Sequence, residues 1–150
     1  MHKIIIFSDS NKHFEIPILE YKKRLWKNIE IIKIKPQKNW TDLQIIEKET
    51  NELIKKLEKI SEFKIILNPT WKSLNTKNFF QLIEEKKQNN WNIIFIIGGA
   101  FGLDYQKLQN YIDFSLNLWE MTMPHSLALL VLLEQIYRIE MIKKGTSYNK

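Results

Sequence analysis

The chain contains no cysteine. That excludes disulfides, thiolate metal ligands and a cysteine nucleophile, and it suits a protein of the reducing cytoplasm. Histidine is scarce as well: His2, His13 and His125 are too few and too scattered to suggest a histidine metal cluster. No apolar run reaches the roughly 18 residues that a membrane span needs. The opening stretch MHKIIIFSDSNKHFE has one short apolar run and no small-residue cleavage site, so it reads as a first strand and not as a signal peptide. Arginine is nearly absent: Arg24 and Arg138 stand against 21 lysines. Arginine's planar fork grips phosphate or carboxylate in a way lysine cannot, so these two are candidate anchors.

Common chemical signatures are missing too. No G-x-x-x-x-G-K-[ST] phosphate loop occurs, which argues against an ordinary nucleotide triphosphatase. The turn GGAFG lacks the G-x-G-x-x-G spacing of dinucleotide folds and lies late in the chain. There is no G-x-S-x-G nucleophile elbow. Glu47 with Glu49, and Glu84 with Glu85, read as solvated helix faces, which leaves no paired-carboxylate mechanism in view.

What is present points to one α/β domain. A chain of 150 residues is long enough for a proper core. Its formal charge of +6 favours an anionic partner, nucleic acid first among them. Apolar strands are expected at 4–8, 29–35 and 63–67, the second alternating with charge as near a sheet edge. Between them, helices are expected over 14–26, with Pro17 in the first turn, and from Thr41 or Asp42 to about Lys59. The second of these carries Leu43, Ile46, Leu53, Ile54, Leu57 and Ile60 near helical period. Another helix begins at Asn75 or Thr76, with Phe79, Phe80, Leu82 and Ile83 inward. This alternation implies a mostly parallel sheet with helices on both faces.

The last third carries the most specific information. A buried strand at 93–97 runs into Gly98-Gly99-Ala100-Phe101-Gly102, which holds three of the chain's four glycines. Glycines there permit positive φ and close approach of a ligand to the backbone. Open α/β sheets bind cofactors at such a place, outside the carboxyl ends of strands. A second apolar segment, 114–118, leads to Met121-Thr122-Met123-Pro124-His125 and then to the helix LALLVLLEQIYR. That helix is apolar all round at 127–133, which calls for cover beyond its own sheet, and a second subunit is expected to supply it. His125 either fixes the start of the helix or positions a substrate.

These residues carry a resemblance. IIGGAFGLD, then a strand, then MTMPHSLALLVLLEQIYR resembles the small bacterial ribosomal RNA large-subunit methyltransferase H family, of the SPOUT class. Glu20-Tyr21 with Lys23-Arg24-Leu25 resembles that family's E-Y-x-x-R helix, and Leu67 and Lys72 fit its loop after the third strand. The resemblance covers the whole chain. It implies a deep trefoil knot at the C-terminal side, S-adenosylmethionine as cofactor, and a homodimer with its site at the subunit interface. It also implies methylation of N3 of a pseudouridine in the 23S RNA of assembled ribosomes. Carried over, Leu67, Asn68, Gly98, Gly99 and Gly102 would contact or shape the cofactor site. The segment Leu118, Trp119, Glu120, Met121, Thr122, Met123 and Pro124 would wrap the cofactor through backbone groups. His125 and Arg138 would face the RNA, and the tail with Tyr148 and Lys150 would reach the partner's site. Apart from the resemblance, Lys22, Lys23 and Lys72 of the basic surface are candidates to grip phosphates. No metal is implied. Three residues depart from the family pattern: Asn149 for a histidine, Trp71 for a glycine and Trp119 for a serine. Two further readings stay open: a non-catalytic RNA-binding relative, and an α/β enzyme using another nucleotide-like cofactor at GGAFG.

Overall fold

A computed structural model describes residues 1–10 and 13–148. Five strands form one sheet: β1 (His2–Phe7), β2 (Ile29–Ile34), β3 (Phe63–Leu67), β4 (Ile93–Ile97) and β5 (Phe114–Leu116), in the order β2-β1-β4-β3-β5. Every pairing is parallel. Five α-helices connect or follow them: α1 (Glu15–Leu25), α2 (Asp42–Leu57), α3 (Thr76–Gln88), α4 (Tyr105–Leu108) and α5 (His125–Lys143). The expectation of a mostly parallel α/β sheet is met by a wholly parallel one, and β2 lies at the edge where its alternation put it.

The register divides the core into two halves. Ile31, Ile4, Phe95, Ile65 and Phe114 stand side by side across all five strands. They face α1, α3 and α5, meeting Ile18, Phe79, Leu129 and Leu133. One residue on, Ile5, Ile96 and Ile66 face the other way, onto Leu53 and Leu57 of α2 and Leu108 of α4. Side chains alternate because the strand period is two, so a sheet covered on both faces needs apolar residues at nearly every position. IIFII of β4 satisfies this, with all five residues buried. Each such side chain contributes roughly 1.5–3 kcal/mol on burial.

The helix starts follow their caps. The Thr41 hydroxyl accepts from the Gln44 N–H while the Gln44 side chain accepts from Thr41 N–H, a complete capping box. The Asn75 side-chain oxygen accepts from Asn78 N–H at 2.8 Å. Two expectations for α2 need correction. Leu43 is exposed, because the inward face is the series Ile45, Glu49, Leu53, Leu57 at four-residue spacing. Glu49, read as solvated, therefore falls on the buried face and is 1% exposed.

In α5, Ala128, Leu129, Leu132, Leu133, Ile136 and Ile139 are buried, whereas Leu127, Leu130 and Val131 are only half-buried. Among the described residues no helix is long and apolar enough to cross a membrane, and no group of three acidic, histidine or cysteine side chains could hold a metal.

His2 generates a pH prediction. It is buried at the start of β1, its ring 6.0 Å from that of Phe95, and its Nδ1 has no hydrogen-bond partner. Burial first, and then the charges of Lys87, the amino terminus and Lys143, push its pKa down from 6.5 to about 3. The unfolded chain thus binds the proton more tightly than the folded one between those values, and stability falls as pH drops through that window. His2→Leu removes this linkage. In denaturant titrations from pH 7 to pH 4 the variant is expected to lose less stability than the parent, by on the order of 1 kcal/mol per pH unit. Parallel profiles would contradict the assignment.

Candidate active site at the carboxyl ends of three strands

Strands β3, β4 and β5 are neighbours and parallel, so Leu67, Ile97 and Leu116 end at the same side of the sheet. The three loops that leave them enclose a cavity of about 360 Å³. Its walls come from 67–69, 97–103 with Tyr105, 116–119, 121–123 and the first turn of α5.

The glycine turn is shaped by what stands behind it. Gly102 N–H donates to Gly99 O at 3.1 Å, closing the turn, and Gly102 has φ of +77°, a conformation that disfavours any side chain. A Cβ on Gly98 would stand 3.1 Å from the Leu103 side chain. A Cβ on Gly99 would stand 2.7 Å from Oε2 of Glu49, so the α2 carboxylate occupies the space that glycine leaves. The other oxygen, Oε1, accepts from Gln37 N–H at 3.0 Å, while Oε2 is buried without a partner. Burial raises the Glu49 pKa, the Gln37 N–H opposes that, and Glu52 adds to the rise. The next residue, Thr50, is fully buried, and its hydroxyl accepts from Asp104 N–H at 3.0 Å. Two successive residues of α2 therefore brace both ends of the turn.

The other two loops are joined by Asn117. Its Nδ2 donates to Pro69 O at 3.1 Å and to Trp71 O at 3.2 Å, and its Oδ1 accepts from Trp119 N–H at 3.1 Å. Asn68 N–H donates to Leu116 O at 2.9 Å, and the Asn68 side chain accepts from the Thr70 N–H and hydroxyl. Tyr105 donates its hydroxyl to Leu67 O at 3.4 Å, and burial pushes its pKa up to about 12, so it stays neutral. These bonds fix the backbone of a site whose own lining offers mostly apolar side chains and main-chain groups. Such a cavity suits a ligand of a few hundred Å³ recognised by backbone contacts.

Of the cofactor-binding candidates, Leu67, Asn68, Gly98, Gly99, Gly102, Leu118, Trp119, Met121, Thr122 and Met123 line this cavity. Glu120 and Pro124 do not. Glu120 lies on an adjacent groove with Thr76, Val131 and Gln135, and Pro124 is the residue that precedes α5. His125 opens α5 and lines the cavity, half-buried, with its pKa lowered by burial. Lys150 and Asn149 lie outside the described residues.

Arg138 and Tyr148 sit elsewhere. Thirteen residues of α5 separate His125 from Arg138, roughly 20 Å at helical rise. There Arg138 pairs with Glu134, and its guanidinium stands 5.0 Å from the Tyr148 ring. The Tyr148 ring meets Tyr137 edge-on at 5.0 Å, and Tyr137 meets Tyr21 at 5.8 Å. Arg24 stands 5.6 Å from both Tyr21 and Tyr137 and pairs with Glu20. Both arginines of the chain thus gather in one aromatic cluster where α1 packs on α5. Hydrogen bonding to Tyr21, then burial, raise the Tyr148 pKa to about 12. The residues missed by sequence reasoning are Glu49, Tyr105 and Asn117. Only Glu49 left a signal, an acid interrupting the Ile45, Leu53, Leu57 series.

Comparison with known proteins agrees with this geometry. The family model described as "Predicted SPOUT methyltransferase" matches residues 1–149. Ribosomal RNA large subunit methyltransferase H of Mycoplasma capricolum is 35% identical over 99% of this chain and 98% of its own length. The protein of that name from Fusobacterium nucleatum is 33% identical over 98% of this chain and 97% of its own. A third, from Streptococcus agalactiae, is 36% identical over 93% and 92%. Matched along its whole length, with its glycine turn and His125 on one cavity, this chain belongs to the SPOUT methyltransferase family, alongside the ribosomal RNA large subunit methyltransferase H proteins.

Proposed function

We propose that this chain is an S-adenosylmethionine-dependent methyltransferase acting in the cytoplasm on 23S ribosomal RNA, at N3 of a pseudouridine in the assembled ribosome. The observation that carries this is the cavity at the carboxyl ends of β3, β4 and β5, backed by a glycine turn, in a chain whose relatives are named as rRNA methyltransferases. The residues present fit the cofactor. Leu67, Leu116 and Leu118 supply apolar walls, and Gly98, Gly99 and Gly102 supply close-approach backbone. The family match over residues 1–149 supports a C-terminal knot in a single domain.

Geometry and charge support a homodimer. Arg138 lies too far along α5 to reach the cavity that His125 lines, and Tyr148, beyond the helix, is packed beside it. A second copy packed on the half-buried side of α5, at Leu127, Leu130 and Val131, would bring its cationic cluster to that cavity and cover the apolar face. The composite site would then combine His125 from one subunit with Arg138 and Tyr148 from the other.

When bound, S-adenosylmethionine supplies an electrophilic methyl group on a sulfonium. The protein's task is to hold the nucleophilic nitrogen in line and to favour loss of its proton. Arg138 and Lys150 would supply positive charge that stabilises the imide anion, as cations lower any acid's pKa. His125, its pKa lowered by burial, enters neutral at pH 7 and serves as a hydrogen-bonding guide to the base. Lys22, Lys23 and Lys72 would meet phosphates, giving salt-dependent affinity.

Tritiated S-adenosylmethionine with ribosomes that lack the modification tests the whole reading. Label in 23S RNA of ribosomes, with little in free RNA, is expected. Cofactor binding without transfer would favour the non-catalytic reading, for which Asn149 in the tail is the sequence argument. Binding of NAD in place of S-adenosylmethionine would favour another nucleotide-like cofactor.

Two variants separate the parts of the site. Gly99→Ala drives a methyl group against the Glu49 carboxylate, and is expected to weaken S-adenosylmethionine binding by about tenfold or more in calorimetry. Pairing it with Glu49→Ala makes room and is expected to recover part of that loss; an unchanged affinity in Gly99→Ala would sink the pocket assignment. Arg138→Ala is expected to keep cofactor affinity and lower turnover by roughly tenfold to a hundredfold. Equal loss of binding and turnover would remove Arg138 from the RNA side of the site.

A further inference from the structure

The inward face of α2 holds one charge that packing alone does not call for. Glu49 is 1% exposed, on a face otherwise built of Ile45, Thr50, Leu53 and Leu57. One of its oxygens accepts from Gln37 N–H at 3.0 Å, and the other, Oε2, is buried without a partner. A neutral side chain there would avoid the desolvation that a buried carboxylate costs. Oε2 stands 2.7 Å from where a Cβ on Gly99 would lie, and Gly99 lines the cavity. One layer of glycine backbone therefore separates the carboxylate from a ligand in the cavity. Among the described residues the lining itself carries no carboxylate, lysine or arginine; its titratable side chains are Tyr105 and His125. Asp104 and Glu120, sequence neighbours of lining residues, are exposed, where water and salt screen them.

We propose that Glu49 sets the ligand preference of the site: its buried negative charge, acting through the Gly99 backbone, favours the cationic methyl donor over the neutral product. This rests on the S-adenosylmethionine reading and extends it to how donor and product are told apart. The donor carries a sulfonium. When its methyl group passes to the nucleophile, the electron pair of the carbon–sulfur bond stays on sulfur, and the neutral thioether S-adenosylhomocysteine remains. The two ligands thus differ by one methyl group and one positive charge. Apolar walls at Leu67, Leu116 and Leu118 fit both alike, so shape separates them little. A fixed charge separates them strongly. A cation in an apolar cavity, in a chain of net charge +6, needs a counter-charge nearby, and Glu49 is the buried carboxylate that adjoins this cavity. Buried groups are screened far less than exposed ones, so the attraction persists at physiological salt. The coupling is reciprocal: a bound cation favours the ionised form of Glu49, as does the Gln37 N–H, whereas burial and Glu52 favour its proton. Lys38, beside Gln37, is paired with Asp9, and the turn 98–102 brings no titratable side chain. Once the methyl group has left, the attraction is gone, and product gives way to fresh donor.

Glu49→Gln keeps the shape of the side chain and an acceptor for Gln37 N–H, and removes the charge. Calorimetry at pH 7, where His125 across the cavity is neutral, compares S-adenosylmethionine with S-adenosylhomocysteine on the parent and on this variant. The variant is expected to bind S-adenosylmethionine about tenfold more weakly, and S-adenosylhomocysteine within about twofold of the parent. Equal weakening of both ligands would leave Glu49 as a brace of the turn and no more. Unchanged affinity for both would mean that the carboxyl works in its neutral form. Either result overturns the proposal. The parent protein supplies a second readout that requires no variant. By nuclear magnetic resonance, the Glu49 carboxyl is expected to titrate at lower pH with S-adenosylmethionine bound than with S-adenosylhomocysteine bound, because a nearby cation lowers an acid's pKa. Coincident titrations would overturn the proposal as well. A parent protein that binds neither ligand would instead count against the S-adenosylmethionine reading itself.

Discussion

A parallel sheet cannot be closed by hairpins. Every return must cross a face of the sheet, so both faces are buried and all strand ends of one kind lie on one side. In this chain that constraint brings the carboxyl ends of β3, β4 and β5 together, and with them the loops that make the cavity. The turn after β4 is the tightest part of the arrangement. It has to double back between Leu103 on one side and the Glu49 carboxylate on the other, and glycine is the only residue without a side chain to collide there. The cost is a buried acid with an unpartnered oxygen, and burial keeps its pKa raised. Glu49 and Thr50 thus hold a functional loop from a helix that never lines the cavity.

The fold was largely legible because its signals are periodic and local. β4 is a continuous apolar run and β1 and β3 are nearly so, each with one lysine, and Thr41 and Asn75 announce their helices through side-chain oxygens that accept from the first turn. β2 betrayed its edge position by alternating Ile with Glu and Lys. The order of the strands left no such trace, because parallel pairing depends on crossovers between distant segments. The same limit hid Asn117 and Tyr105: each acts on backbone carbonyls 38 to 48 residues away in sequence. Glu49 was misread for a different reason. Charge on a helix is normally solvated, and only its four-residue phase with Ile45 and Leu53 marks it as inward. The glycine turn and His125, which share one cavity, stood out in the sequence through glycine clustering and a Pro-His helix start.

Helix α5 links two distinct environments. Its first turn carries His125 to the cavity, its middle buries Leu129, Leu132 and Leu133 against the sheet, and its last turns carry Arg138 into a cluster with three tyrosines. A helix that is apolar beyond the face it buries, with charge at one end and a pocket at the other, has the form that the proposed two-fold partner would complete. The two arginines stand together in that cluster while lysine supplies the rest of the charge. Planar guanidinium groups stack on tyrosine faces, which lysine does less well, so the cluster requires arginine even in a chain that otherwise avoids it.

The loops after β3, β4 and β5 are proposed to hold the methyl donor. Amide hydrogen exchange with and without S-adenosylmethionine tests it most directly, because it reads the backbone groups that the site offers. Slowed exchange is expected in 98–105 and 117–125, with β2 and α3 unchanged. Binding that leaves those two segments unaltered, and protects amides elsewhere, would contradict it.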